Sequence, residues 1–171
     1  MCPDFFEKSG HKPVPCPILT LPRELSLQGG KLCQKPIREL YGLLGREIAA
    51  VYQAGEWKAN PEERTFFLRM QRTGEKQDFC ILFHQKEAEL KYISKEKKLV
   101  FSRRNWVDGS MENRSVMIDT WNEIEIWSDH SSMEIFVNGG QTVFSALFSR
   151  KAVNWRLLFR ESKKHKSKYV K

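Results

Sequence analysis

Apolar residues recur at every second position in short runs along this chain, and that period is the strongest constraint on its fold. In residues 65–71, Phe66, Leu68 and Met70 share one face. Residues 123–127 set Ile124 and Ile126 on one face and Glu123 and Glu125 on the other, which predicts a strand with a wet face. Residues 133–137 repeat the alternation. Asn138-Gly139-Gly140 then tolerates positive φ, and residues 142–148 read as the next strand. Residues 78–84 are apolar on both faces, the mark of a central strand covered on both sides. Residues 23–27 and 31–34 flank Gln28-Gly29-Gly30 and predict a hairpin, and residues 154–159 read as the last strand.

Helical spacing is scarce. After Pro36, residues 37–44 place apolar side chains three and four apart, which predicts one short helix ended by Gly45. With about ten to twelve short strands and no crossover helices, the reading is all-β: a two-sheet antiparallel β-sandwich of the lectin-like jelly-roll kind. Phe66, Leu68, Phe79, Ile81, Ile124, Ile126, Ile135 and Val137 form its expected core. The organisation is an extended arm over 1–17 carrying Pro3, Pro13, Pro15 and Pro17, a sandwich over 18–161, and a basic flexible tail over 162–171.

With 171 residues, 40% of them hydrophobic, the chain suits one globular domain rather than a disordered one. It has no run of about 18 apolar residues, and its start lacks the basic-then-apolar texture of a secretory signal, so the expectation is a cytoplasmic protein with no membrane partner. Cys2, Cys16, Cys33 and Cys80 form no CxxC pair and read as free thiols, with no metal site. More than half of the net charge of +8 lies in the last twelve residues. That reads as a solvated terminus, because no nucleic-acid-binding motif accompanies it.

No enzyme motif is derivable: there is no Gly-rich phosphate loop, no GxSxG elbow and no HExxH, and no cofactor is implied. Glu123 and Glu125 would lie about 7 Å apart on one strand face, a spacing that mimics a glycosidase pair, but nothing marks a pocket around them. His84 and His130 each stand alone and read as hydrogen-bonded or exposed groups. Trp57 and Trp106 adjoin turn residues and are the indoles best placed to stack on a sugar ring. A free-standing, lectin-like sugar-binding protein is therefore the alternative to any module reading.

Two stretches carry a family resemblance. Leu19-Thr20-Leu21-Pro22-Arg23-Glu24-Leu25-Ser26-Leu27, continued by Gly30-Lys31-Leu32 and Gln34-Lys35-Pro36-Ile37-Arg38-Glu39-Leu40, resembles the junction in glycoside hydrolase family 32 where the catalytic propeller hands over to the C-terminal module. Asp129-His130-Ser131-Ser132-Met133-Glu134-Ile135-Phe136-Val137-Asn138-Gly139-Gly140 resembles the same family's D-x-S-S-x-E-x-F-x-N-x-G strand pair, with His130 where Arg is more usual. The family contains the invertases and the bacterial sucrose-6-phosphate hydrolases. The resemblance implies a β-sandwich module whose partner is a catalytic propeller. It also implies junction charges at Arg23, Glu24, Arg38 and Glu39. The propeller-facing surface would be apolar and able to recruit a second copy into a homodimer. The family's Asn-Asp-Pro-Asn-Gly nucleophile motif and its Arg-Asp-Pro motif do not occur in this sequence. Cys2-Pro3-Asp4-Phe5-Phe6 resembles the segment that follows the family's acid/base Glu, with Met1 at the Glu position, which suggests a truncated or internally deleted product. The resemblance therefore implies no catalytic residue here, since fructoside hydrolysis needs both carboxyl groups.

Overall fold

The computed structural model describes residues 19–47, 51–53, 56–59, 65–72, 78–83, 87–105, 108–147 and 157–161. The expected arm over 1–17, the tail over 162–171, His84 and Trp106 lie outside them. The described residues form strands almost throughout. A hairpin stands first, β1 (Arg23–Gln28) and β2 (Lys31–Pro36). Gly29 and Gly30 close it with φ of +56° and +76°, the two positive values that a two-residue hairpin turn needs.

The other strands are β3 (Val51–Gln53), β4 (Glu56–Ala59), β5 (Phe66–Gln71), β6 (Phe79–Phe83), β7 (Ala88–Ile93), β8 (Lys98–Arg104), β9 (Met111–Met117), β10 (Glu123–Ser128), β11 (Ser132–Val137), β12 (Thr142–Leu147) and β13 (Leu157–Glu161). They make two antiparallel sheets. One has the order β12-β11-β10-β5, the other β3-β4-β13-β6-β7-β8-β9. Leu68, Ile124, Ile126, Met133, Ile135 and Val137 of the first pack on Phe79, Ile81, Phe83, Leu90, Leu99 and Phe101 of the second. This is the expected sandwich. Seven of the eight expected core residues are buried, and Phe66 is half-buried against the rest.

Two local readings differ. The expected helix after Pro36 is a 3₁₀ turn, Arg38–Leu43, whose ends bond at i→i+3: Leu40 N–H donates to Ile37 O and Leu44 N–H to Tyr41 O. Gly42 lies inside it, and six residues are too few to nucleate an α-helix without packing. The expected wet face of β10 is covered at its centre, with Glu123 and Trp127 half-buried on either side. Glu125 is 6% exposed, because the segment around Tyr41 lies over it.

Candidate interaction surface

The face of the four-stranded sheet that turns away from the core is built from two cross-strand rows. One row runs Phe67, Trp127, Glu134, Ser145, and the other Arg69, Glu125, Phe136, Val143. Two carboxylates therefore stand among aromatic side chains, and each needs partners to remain buried as an anion.

Residues 21–44, lying over this face as a strap, supply those of Glu134 and share those of Glu125 with Arg69 of β5. Glu134, also 6% exposed, accepts the Leu21 N–H at Oε1 (2.6 Å) and Arg23 Nη2 at Oε2 (2.5 Å). Arg23 also donates to Gln34 Oε1 (2.7 Å) and Ser145 Oγ (2.9 Å), and its guanidinium lies 5.4 Å from the Phe136 ring centre. Glu125 accepts Arg69 Nε (2.8 Å) and Nη2 (2.5 Å) at Oε1, and the Tyr41 hydroxyl (2.6 Å) at Oε2. Tyr41 packs edge-on against Trp127 (5.3 Å) and Phe67 (6.0 Å). Burial, then the Glu125 hydrogen bond and charge, push the Tyr41 phenol well above its ordinary 10.0.

A third attachment is made by backbone. Gln34 N–H donates to Gly140 O (2.9 Å), and Ile37 N–H closes the base of the hairpin on Pro22 O (3.1 Å). Gly140 sits at φ +83°, and a Cβ there would stand 1.8 Å from Gln34 O. Only glycine lets the strap approach this closely.

The strap is thus anchored through Arg23, Gln34 and Tyr41, while leucines further along it stay uncovered. Leu25, Leu27 and Leu32 are 66%, 77% and 54% exposed, and Leu43 of the 3₁₀ turn is exposed as well. Leu27 faces Leu32 across the hairpin, so the three share one face. An exposed leucine cluster rimmed by charged side chains is the mark of an interaction surface.

Of the residues singled out from sequence, Arg23 is drawn into the Glu134 pair, while Glu24, Arg38 and Glu39 are exposed on the strap. Trp57 lies in β4 opposite Tyr52 and Phe159, with its side chain outside the described part. His130 is an exposed group beside Asp129, with Nδ1 3.0 Å from Oδ1. That contact, followed by the His130 backbone N–H, holds the Asp129 carboxyl below its usual range. Thr65 Oγ1 touches the same Asp129 oxygen and the same His130 nitrogen, so the three form no proton relay. Glu125, Glu134, Arg69, Tyr41 and Gly140 were not singled out as a site. Trp127 and Phe136 fall on the face expected to be wet, and that was the available signal that something covers it.

The chemistry of this face is adhesive. Glu125 and Glu134 have both oxygens engaged. Among the described residues no group of three His, Cys, Asp or Glu side chains gathers to hold a metal. No described helix is long and apolar enough to cross a membrane.

Comparison with known proteins gives the family. The chain is 31% identical over 134 residues to a probable sucrose-6-phosphate hydrolase of Psychromonas ingrahamii (strain DSM 17664 / CCUG 51855 / 37), covering 75% of this chain and 24% of that protein. It is 28% identical over 149 residues to the sucrose-6-phosphate hydrolase of Bacillus subtilis (strain 168), covering 83% of this chain and 31% of that one. The chain therefore spans about a quarter to a third of the curated relatives it matches. It shares the fold of part of the GH32 β-fructofuranosidase of Bombyx mori, with a TM-score of 0.64 at 18% identity, over 83% of this chain and 31% of that one. Residues 46–168 match the family model described as glycosyl hydrolases family 32 C terminal. This chain belongs to the family of glycoside hydrolase family 32 C-terminal domains.

Proposed function

We propose that this chain is a non-catalytic C-terminal module of a cytoplasmic sucrose-6-phosphate hydrolase or β-fructofuranosidase, supporting that enzyme's stability or oligomerisation. Hydrolysis of sucrose and other fructosides belongs to a catalytic propeller. The strap is the surface that meets it: the leucines make the apolar centre, and Glu24, Arg38 and Glu39 the polar rim. Arg23 serves from beneath by fixing the strap to Glu134.

The observation that carries this reading is the row of exposed leucines on the strap, Leu25, Leu27 and Leu32. Exposed leucines gathered on a segment that is itself firmly anchored to the sheet are the signature of a surface that a partner covers. The match to the Bacillus subtilis enzyme supports it. Residues 46–171 are less than three quarters of the chain, so a match over 83% of it must run into the strap.

The test adds this chain to a sucrose-6-phosphate hydrolase deprived of its own C-terminal part. The expected result is a 1:1 complex and a higher melting temperature for the catalytic part, both lost with Leu27→Asp. A catalytic part that neither binds the chain nor changes its melting temperature would contradict the reading.

A further inference from the structure

The backbone of the strap carries information beyond its leucines. Gln34 N–H leaves the hairpin to reach Gly140 O, so Gln34 and its cross-strand partner Leu25 exchange no hydrogen bonds. Pairs in an antiparallel ladder alternate, which places Arg23, Leu25 and Leu27 in the same class and leaves the ladder to Glu24, Ser26 and Gln28. The N–H and C=O groups of Leu25 and Leu27 therefore point away from β2, along the outer edge of β1. Among the described residues no strand lies against that edge. A bare edge flanked by a leucine row is a template for another strand.

We infer that a second copy of this chain closes the edge, β1 pairing antiparallel with β1 of the partner subunit across a two-fold axis at Ser26. This register sets Leu25 against Leu27 of the partner subunit and Leu27 against the partner's Leu25. Ser26 meets the partner's Ser26, and Glu24 meets Gln28 of the partner subunit. The hairpins become one four-stranded sheet carrying a continuous band of leucines from both copies. Placing the axis on Leu25 would set Leu27 against Arg23 of the partner subunit, and placing it on Leu27 would set Leu25 against the partner's Gly29. Only the Ser26 axis matches every leucine of β1. It opposes no like charges, because Arg23 is held by Glu134 and Glu24 faces an amide. The contact is isologous and closes at two copies. The longest of the other sheet-edge strands, β9, is a poorer template: its register with Phe101 puts Arg114 on the core-facing side, a charge that discourages strand addition.

The inference rests on the reading that the leucine face is an interface, and it specifies what covers that face when the chain is alone. Its test uses the full chain in sedimentation velocity and in oxidative cross-linking. The unsubstituted chain is expected at twice its own mass. Leu27→Pro removes an N–H that points outward and spares the ladder to β2, so it should weaken self-association at least about tenfold with the melting transition retained. Ser26→Cys places two thiols on a pair that exchanges no hydrogen bonds, at about 4.5 Å between Cα atoms, within disulfide reach. It should therefore cross-link as a dimer, while Glu24→Cys and the unsubstituted chain should not. A monomer at the highest soluble concentration overturns the inference, and so does a dimer that Leu27→Pro leaves intact. Equal cross-linking of Ser26→Cys and Glu24→Cys overturns the register. None of these outcomes bears on stabilisation of a catalytic part, which judges the module reading separately.

Discussion

Glu134 shows how one side chain can hold an entire segment. Its two oxygens take up Leu21 and Arg23, and through Arg23 they reach Gln34 on the other strand of the hairpin. Removing one partner of a buried pair leaves the other charge unsatisfied, so Glu134→Ala is expected to cost about 3 kcal/mol in urea unfolding. Gly140→Ala attacks the same contact from the opposite side. A Cβ would stand 1.8 Å from Gln34 O at a φ of +83°. The expected result is a loss of about 1–3 kcal/mol, with new protease cleavage within residues 24–32. Tyr41 gives a pH signature. Its phenol is raised in the folded chain, so the contribution is whole below the ordinary value of 10.0 and fades as pH climbs through and beyond it. Tyr41→Phe should flatten the alkaline fall in stability and cost about 1–3 kcal/mol near neutral pH, since Arg69 still holds Glu125 Oε1 but the buried Oε2 loses its donor. Tyr92, also raised, is present in both proteins and cancels from the comparison.

At the scale of elements, period-2 patterning located the strands because a half-buried strand must alternate. Residues 133–137 and 66–70 announce their core faces through Met133, Ile135, Val137 and Leu68, Met70, all buried. The two glycine turns were legible for the same local reason: positive φ at Gly29, Gly30, Gly139 and Gly140 is a property of the residue itself. What alternation cannot report is the cover on the other face. Glu125 and Glu134 read as solvent-facing because their partners lie far away in sequence, at Tyr41, Leu21 and Arg23. The 3₁₀ turn Ser94–Glu96 was illegible because three residues hold no period. The contrast between core and surface strands is measurable. Ile126→Ala, at a fully buried site in β10, should cost about 2–5 kcal/mol, whereas Met117→Ala on exposed β9 should stay within about 0.5 kcal/mol, both read by chemical denaturation.

At the scale of the molecule, the described residues form a sandwich with a buried core and a strap that leaves leucines exposed. Its family membership and its fold were both within reach of the sequence, through the strand pair at 129–144 and the junction at 19–40. The interaction surface was only half within reach. Arg23 could be named, but the Glu134 beneath it could not, because that pairing exists only once β1 and β11 are brought together in the fold. The family, the engaged carboxylates and the exposed leucines support the proposal that this chain is a module without catalytic activity of its own. Hexose release from sucrose and sucrose 6-phosphate by the purified chain tests this most directly. The account predicts a rate indistinguishable from buffer at every chain concentration. Saturable release that scales with the chain and survives repurification would contradict it.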